Sequence, residues 1–329
     1  MARSQKSLSI YRENIAFSGY LIQNKINKGG FGSIYKGVNK STHQEVAIKH
    51  SQFDLKNEYQ IMTQLTNVVG IPKVYGFEEQ EKWSFMSMEL LSQDLHTIKC
   101  KLKQFSLKCI CFIAIKVLEI LKQVHQMNIV HRDIKPTNLM VKSLKDPQIY
   151  LIDFGIAKDQ SKGDTRQELE GTFLYDPISV HKRQKYRFLD DIEMLAYTLV
   201  FLYNGHLPWK KYGNEVLVNG DALKQKEQYI NSKAMSQLPF ADLFGYIKWN
   251  QHIKKPDYEF LINLFRNILR ENKIIENYQF DWIEQATPQM KRQSKYLMIE
   301  DLNTDLNEEE QQCQGVSLLS ELVYKFFKD

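Results

Sequence analysis

The chain is poor in the residues that mark several protein classes. Its 329 residues include only 4 cysteines, 8 prolines and 15 glycines, which excludes a disulfide-rich scaffold and a collagen-like repeat. No apolar run reaches the roughly 18 residues that a transmembrane helix needs, so no membrane span is expected. The first residues are polar and lack the apolar stretch of a secretion signal. We therefore expect a cytoplasmic or nuclear protein with reduced thiols.

Net charge is also low, and it is unevenly distributed. The 44 Lys and Arg exceed the 39 Asp and Glu by only 5, which is too little for a dedicated nucleic-acid binder. From Ile283 onward, five basic and nine acidic residues give a net charge of −4, so the preceding part carries +9. We expect no nucleic-acid partner, and we expect a basic body that continues into an acidic tail.

Two regions of different periodicity follow each other. Residues 20–50 alternate between apolar and polar side chains around a glycine cluster, which predicts an antiparallel β-meander. A short helix is predicted from Leu55 to Leu65, and a long amphipathic one starts near Ser106. A strand-rich first third followed by a helix-rich remainder predicts an α+β fold with two lobes.

The first two motifs that suggest chemistry lie in the strand-rich third. Residues 27–34 (NKGGFGSI) connect two predicted strands, and their glycines would allow the backbone to approach phosphates. A glycine-rich hairpin turn explains this motif equally well. Lys49 ends an apolar strand and needs a partner there. Glu58 is the candidate, since a Lys–Glu pair orients the ammonium group toward phosphates. Either residue alone is compatible with an ordinary surface charge.

The most specific motif is HRDIKPTN at residues 131–138, followed fifteen residues after Asn138 by Asp153 in DFG. In this pattern Asp133 would accept a hydrogen bond from a substrate hydroxyl, and Lys135 would neutralise charge on a transferred phosphoryl group. Asn138 and Asp153 would bind a metal ion. Phosphoryl transfer depends mainly on positioning and charge neutralisation, so these groups form a sufficient set. The four motifs occur in the order typical of protein kinases.

Beyond these motifs, the chain resembles the casein kinase 1 family of Ser/Thr protein kinases. The matching segments are Gly70-Ile71-Pro72, Met86–Leu91, Gly171-Thr172, Asp190–Leu195, Leu207-Pro208-Trp209, Lys255–Tyr258, Leu264–Asn267 and Phe280-Asp281-Trp282. In that family Phe-Asp-Trp closes the catalytic domain. The resemblance therefore implies an N-terminal extension (1–19), a small lobe with the hinge (20–91), a large lobe (92–282), and an acidic tail (283–329). An apolar stripe near the end of the tail predicts a short amphipathic helix.

The resemblance implies a bilobal protein-kinase fold and transfer of the ATP γ-phosphoryl group to protein hydroxyls with Mg²⁺. The implied catalytic residues are Lys49, Glu58, Asp133, Lys135, Asn138 and Thr172. The implied ATP-binding residues are Ile26, Gly29, Gly30, Phe31, Gly32, Ile34, Ala47, Lys49, Met88, Glu89, Leu91, Met140 and Asp153, and the metal ligands are Asn138 and Asp153. For the apolar members of this set, ordinary core packing is an equally good explanation. Asp191 is expected to cap the backbone of the catalytic loop.

Departures from the family leave substrate choice open. Phe188 and Phe244 stand near positions where the family has basic anchors for acidic or pre-phosphorylated protein substrates. The basic residues at 182, 183, 185 and 187 either form a relocated acidic-substrate site or belong to a solvated loop. Asp176-Pro177-Ile178 replaces the Ala-Pro-Glu of most kinases.

Regulation and catalytic competence also have alternatives at this point. We expect a monomer, and the tail either inhibits the catalytic body after autophosphorylation or simply packs on it. We favour constitutive activity, although phosphorylation of Thr165 would be the alternative. The rival functions are a nucleotide-binding scaffold without catalysis and a small-molecule kinase. The first is disfavoured because the chain has all of Lys49, Glu58, Asp133, Lys135, Asn138 and Asp153.

Overall fold

The alternating residues near the start of the chain form a five-stranded antiparallel sheet in a computed structural model, which describes residues 17–29, 32–163, 171–209 and 219–285. The small lobe consists of β1 (Tyr20–Gly29), β2 (Gly32–Asn39), β3 (Glu45–Ser51), α1 (Lys56–Gln64), β4 (Val74–Gln80) and β5 (Trp83–Glu89). The strand order is β1-β2-β3-β5-β4. The predicted meander is therefore confirmed.

One face of this sheet carries a small apolar cluster of its own. Val46 and Ile48 from β3 pack there with Phe85 from β5 and with Phe17, which precedes β1. The ring of Phe17 stacks on that of Phe85 at a centroid distance of 5.7 Å. Because neighbouring residues of a strand point to opposite faces, Ala47 and Lys49 project from the other face, toward the large lobe.

The large lobe is mainly helical. Its first half contains β6 (Gln93–Asp94), α2 (Leu95–Leu102), α3 (Leu107–Gln126), β7 (Ile129–Val130), β8 (Leu139–Val141), β9 (Ile149–Leu151) and β10 (Lys158–Asp159). Its second half contains α4 (Ile178–His181), α5 (Phe188–Asn204), α6 (Asn219–Ile230), α7 (Lys233–Ser236), α8 (Ala241–Trp249), α9 (Tyr258–Glu271) and α10 (Asp281–Gln285). The predicted two-lobed α+β fold is thus confirmed.

The core of the large lobe is built around α3 and α5. Residues of both helices are buried on nearly all sides, and α3 packs against α5 and α9. Sequences that are apolar around the whole helix are expected in such central positions. In the part of the chain that the structure describes, no helix combines the length and apolarity needed to cross a membrane.

The Phe280-Asp281-Trp282 segment closes the large lobe at the start of α3. The Asp281 carboxylate accepts hydrogen bonds from the Ser106 backbone N–H at 2.6 Å and from the Ser106 hydroxyl at 2.7 Å. The same hydroxyl accepts from the Cys109 N–H and so caps the helix. The Trp282 ring stacks on Phe280 with centroids 4.3 Å apart. The predicted tail helix and most of the acidic tail lie outside the described residues.

Gly70 lies where the small lobe meets the large one. Its carbonyl accepts a hydrogen bond from the Leu151 N–H at 2.8 Å, and its φ is +94°. A Cβ atom at this position would lie 2.5 Å from Ile120 Cδ1 and 2.8 Å from the Ile149 carbonyl oxygen. The close approach of two backbones therefore requires glycine here.

We predict that Gly70→Ala lowers the free energy of unfolding by about 2–4 kcal/mol, through overpacking and an unfavourable φ. Gly245→Ala is the matched control, because Gly245 lies inside α8 with nothing within 4 Å of the added Cβ. The control is expected to raise the unfolding free energy by up to about 1 kcal/mol through helix propensity. Urea unfolding of both variants measures the difference, and equal effects would contradict the interpretation.

Candidate active site

Lys49, Glu58 and Asp153 form a charged cluster between the lobes. Lys49 projects from β3, Glu58 lies in the first turn of α1, and Asp153 follows β9. Lys49 Nζ lies 2.9 and 2.7 Å from the two Glu58 carboxylate oxygens and 2.9 Å from Asp153 Oδ1. Both Lys49 and Glu58 are buried. The structure thus brings Asp153 of the large lobe to Lys49, which lies 104 positions earlier in the sequence and pairs with Glu58 in the small lobe.

The charges of this cluster stabilise one another. Burial opposes the charge of Lys49, but the Asp153 and Glu58 carboxylates outweigh it and raise the pKa of Lys49 above its usual value. Burial alone would raise the pKa of Asp153, yet Lys49 holds it at about 2. Asp153 is therefore ionised at neutral pH. A Cβ on Gly155 would lie 3.3 Å from Asp153 Oδ1, so glycine at this position leaves room for the cluster.

A second polar cluster surrounds Asp133 in the predicted catalytic loop, which consists of residues 131–138. Thr172 donates its hydroxyl proton to Asp133 Oδ1 at 2.8 Å, and Lys135 Nζ donates to Thr172 Oγ1 at 2.6 Å. Lys135 Nζ also lies 2.8 Å from Asp133 Oδ2. The Asn138 side-chain amide donates to the Asp133 carbonyl and to Asp133 Oδ2, at 2.8 and 2.9 Å. The amide oxygen of Asn138 consequently remains an acceptor.

The short sheet of the large lobe brings Asn138 close to Asp153. In the antiparallel ladder of β8 and β9, Leu139 pairs with Leu151. Asn138 immediately precedes this pair, and its carbonyl accepts from the Ile152 N–H at 3.0 Å. Asp153 is the next residue along the chain. The register of two strands therefore sets the relative position of the two predicted metal ligands.

The catalytic loop is held in place by Asp191 of α5. Its two carboxylate oxygens accept the backbone N–H groups of His131 and Arg132, at 2.8 and 2.9 Å. They also accept from the Tyr186 hydroxyl at 2.6 Å and pair with His125 Nε2 at 2.8 Å. Burial opposes the charge of Asp191, but these hydrogen bonds, with that of His125 the largest, lower its pKa. The expected cap is present, and the sequence did not reveal that Tyr186 and His125 take part in it.

His131 adds a second support beneath the loop. It is fully buried, and its Nδ1 accepts from the Asp133 N–H at 3.2 Å. Its Nε2 lies 3.0 Å from the Ile152 carbonyl oxygen and donates to it. Burial lowers the pKa of His131, so the neutral ring links the backbone before Asp133 to the backbone before Asp153.

The predicted nucleotide-pocket residues lie on the strands and the connection around these clusters. Ala47 pairs with Met88 in the ladder of β3 and β5, and Ile34 pairs with Lys49 in that of β2 and β3. Gly29 and Gly32 pair at the β1–β2 hairpin, and Ile26 on β1 is 50% exposed. Met140 lies on β8. Glu89 is the last residue of β5, and Leu91 follows that strand. Gly30 and Phe31 lie outside the described residues, as does Thr165.

Glu89 has a contact that sequence reasoning did not anticipate. Its carboxylate pairs with Lys142 Nζ at 2.6 Å, just after β8, and its N–H donates to the Lys73 carbonyl at 2.8 Å. Residues 73 and 89 belong to the small lobe and Lys142 to the large one. The pair therefore joins the two lobes beside the predicted hinge.

The basic residues at 182–187 do not act as one cluster. Arg187 is the N-cap residue of α5. Its guanidinium donates to Asp190 Oδ1 at 2.9 Å and to the Gln251 carbonyl oxygen at 2.7 Å. Lys182 pairs with Glu227 at 2.7 Å. Arg183 and Lys185 are exposed. A relocated acidic-substrate site would therefore depend chiefly on these two side chains.

The donor set fits a nucleotide with a divalent cation. Asp153 offers an ionised carboxylate, Asn138 an amide oxygen, and Lys49 a fixed ammonium group. Carboxylate and carbonyl oxygens are the ligands that Mg²⁺ prefers, with phosphate oxygens completing its coordination. The arrangement can therefore hold phosphates at one end and a hydroxyl nucleophile beside Asp133 at the other.

Two comparisons with known proteins agree with this geometry. Residues 20–243 match the family model of the protein kinase domain. Casein kinase I homolog 2 of Schizosaccharomyces pombe is 29% identical over 288 residues, which is 80% of this chain and 66% of that protein. The chain thus spans slightly less than two thirds of the length of this relative.

Asp176 provides a pH test of the site, because burial raises its pKa from 3.8 to about 6 despite the nearby charge of Lys226. The folded protein therefore binds this proton more tightly than the unfolded chain does. The stabilisation is present below about pH 4 and is lost as the pH rises to about 6. We predict that the unfolding free energy of the wild type, relative to Asp176→Asn, falls across this window and then stays constant.

Urea unfolding at a series of pH values measures this difference. The control is Asp242→Asn, at an exposed position of α8, for which the difference from wild type should change little with pH. Parallel curves for wild type and Asp176→Asn would contradict the prediction.

Proposed function

The chain belongs to the protein kinase family, and we propose on this premise that it is a Ser/Thr protein kinase of casein kinase 1 type. It would transfer the γ-phosphoryl group of ATP to hydroxyl groups of protein substrates. The observation that carries the proposal is the hydrogen-bonded set of Asp133, Lys135 and Thr172. It lies next to the charged cluster of Lys49, Glu58 and Asp153.

Asp133 is the group that receives the substrate hydroxyl. In the structure Asp133 Oδ1 accepts from Thr172, so the carboxylate already binds a hydroxyl of the kind that a substrate serine or threonine would present. Lys135 lies within hydrogen-bond distance of both Asp133 and Thr172. Its ammonium group would stabilise charge that develops on the transferred phosphoryl group.

Protein kinases generally use ATP and Mg²⁺, and we assign their binding to named residues. Lys49, oriented by Glu58, would bind the phosphates, and Asn138 and Asp153 would hold the cation. Bound Mg²⁺ would supply neutralisation of charge on the phosphate oxygens. Ile26, Ile34, Ala47, Met88 and Met140 would enclose the base, and Glu89 and Leu91 would contribute backbone groups.

A nucleotide-binding scaffold without catalysis is the alternative. It predicts the loss or dispersal of at least one member of the polar set. Here one cluster joins Lys49 to Glu58 and Asp153, and hydrogen bonds in the other join Asp133 to Lys135, Asn138 and Thr172. We therefore favour an active enzyme, and we expect activity without prior phosphorylation. Arg132 supports that expectation. It precedes Asp133 and is the side chain with which a phosphorylated activation segment would pair. In the structure its guanidinium is already buried, donates to the Ile156 carbonyl at 3.2 Å and lies against Tyr186.

Substrate choice and the tail form the finer part of the proposal. Protein substrates with acidic or phosphorylated residues would rely on Arg183 and Lys185, since Lys182 and Arg187 are already paired. We propose a monomeric enzyme whose acidic tail binds the basic body after autophosphorylation. The opposite net charges of −4 and +9 support this interaction.

We predict that Asp133→Asn lowers kcat for phosphorylation of casein by at least about 100-fold, because a neutral amide oxygen replaces the carboxylate that accepts the substrate hydroxyl proton. The assay uses purified full-length protein, labelled ATP and Mg²⁺. Asp153→Asn should abolish metal-dependent transfer, and both variants should keep the fold. Asp242→Asn on the exposed surface of α8 is the control and should retain wild-type turnover.

If the wild type transfers no phosphate to casein or to itself, the enzyme proposal fails and the scaffold alternative gains support. If Asp133→Asn is as active as the wild type, the assignment of Asp133 fails even though the protein is a kinase.

Truncation tests the tail. We predict that a version ending at Gln285, which keeps the Asp281 and Glu284 contacts with α3, matches the full chain before exposure to ATP. After pre-incubation with ATP the full chain should become several-fold slower, because added phosphates strengthen attraction to the basic body. Initial rates measured before and after pre-incubation decide the matter. Equal rates throughout would reject autoinhibition.

A further inference from the structure

Lys226 is a buried lysine that the mechanism above does not use. It lies in α6 and is 0% exposed. Its Nζ donates to the carbonyl oxygens of Phe173 and Asp176, at 3.1 and 2.6 Å, and to His181 Nε2 at 2.9 Å. A buried ammonium group is costly unless all its protons are bonded. Here three acceptors match its three N–H groups.

The surroundings of Lys226 come from three different parts of the large lobe. Asp176 contributes a carboxylate from the segment after Thr172, and Glu193 of α5 contributes another. The rings of Tyr197 and Trp209 face the ammonium group at 5.1 and 5.6 Å. His181 of α4 is a neutral acceptor, since burial and the lysine charge lower its pKa to about 3.

The contacts of Lys226 fix the backbone that follows Thr172. Lys226 binds the carbonyls of Phe173 and Asp176, and the Trp209 indole N–H donates to the Leu174 carbonyl at 2.8 Å. Three of the four carbonyls from 173 to 176 are therefore held by the large lobe, two by Lys226 of α6 and one by Trp209, which follows α5. Thr172, which touches both Asp133 and Lys135, is the residue immediately before this anchored stretch.

The sequence of this segment explains why an anchor is needed. Most protein kinases have Ala-Pro-Glu at this place, whereas this chain has Asp176-Pro177-Ile178. The chain therefore has isoleucine where those kinases have a glutamate. Here the charged group belongs to the large lobe: the Lys226 ammonium group donates hydrogen bonds to backbone carbonyls of the segment. Glu193 meets the Ile178 N–H at 2.8 Å and completes the attachment.

We propose that Lys226 is a positioning residue that holds segment 172–176 in the conformation that accepts a protein substrate. It acts on phosphorylation through the backbone next to Thr172, without touching substrate or nucleotide. This inference rests on the proposed kinase function. It predicts a selective defect in handling the protein substrate, because the Lys49, Glu58 and Asp153 cluster has no contact with Lys226 among the described hydrogen bonds.

The first test compares Lys226→Met with Lys224→Met, an exposed lysine on the same helix. Steady-state kinetics on casein and a binding titration with ATP are measured for both full-length variants. Lys226→Met should raise KM for casein or lower kcat/KM by at least about tenfold, with the ATP Kd changed less than about twofold. Lys224→Met should resemble the wild type in both. Wild-type kinetics in Lys226→Met would overturn the proposal.

The second test uses charge, so that a merely structural role gives a different result. Burial lowers the pKa of Lys226 to about 8 against the opposing carboxylates of Asp176 and Glu193. As the pH rises through this value the ammonium group loses one of its three donors, and kcat/KM for casein should fall. Lys226→Arg keeps its proton at these pH values. Lys226→Arg should therefore restore the activity that is lost in Lys226→Met, and its kcat/KM should not decline above pH 8. The control variant Lys224→Met should show the same decline as the wild type.

The outcomes separate the two proposals. A wild type without any phosphoryl transfer rejects the kinase function itself. An active wild type with the same alkaline profile in Lys226→Arg rejects the role of Lys226. If Lys226→Met also loses ATP binding, the substitution has disrupted the fold. The pH profile of the arginine variant then decides alone.

Discussion

The conformation of the catalytic loop depends on one buried carboxylate. Asp191 accepts two backbone N–H groups, a tyrosine hydroxyl and an imidazole N–H within a fully buried site. A buried carboxylate is stable only when its oxygens are saturated by such donors. The donors come from α3, the catalytic loop and the segment before α5, so the charge ties these parts to one point. Arg132 adopts a φ of +73° at this contact, and the two hydrogen bonds offset that strain.

Motif spacing and periodicity predicted the parts of the molecule in which the apolar and polar pattern of the sequence matches the burial of the same residues in the fold. The strands of the small lobe alternate in sequence because one face of the sheet is buried, and α3 is apolar throughout because it is central. Lys49 was conspicuous because a charge at the end of an apolar strand requires a partner, and Glu58 is that partner in the structure. The HRDIKPTN and DFG motifs likewise lie at adjacent ends of one short ladder.

What the sequence did not reveal are charges whose burial depends on distant elements. Lys226 lies in a helix of low hydropathy, where its letters resemble those of an exposed lysine such as Lys224. It is enclosed where α6 meets residues 173–181, α5 and Trp209. Arg187 looked like a member of a basic surface cluster, yet its two terminal guanidinium nitrogens donate to Asp190 and Gln251. The partners of Lys226 in residues 173–181 and the Gln251 partner of Arg187 lie across loops whose course no periodicity encodes. The same holds for the pairing of Glu89 with Lys142.

The hydrogen bonds between Ser106 and Asp281 also have a consequence for biosynthesis. They join residues separated by 175 positions, and they complete the start of α3, the central helix of the large lobe. While the ribosome is still adding residues before Asp281, the capping residue Ser106 lacks its Asp281 partner, and the aromatic rings of Phe280 and Trp282 are absent. The nascent large lobe therefore exposes apolar surface until nearly the whole domain has left the exit tunnel. The final packing step of the large lobe therefore waits for the last few residues of the domain.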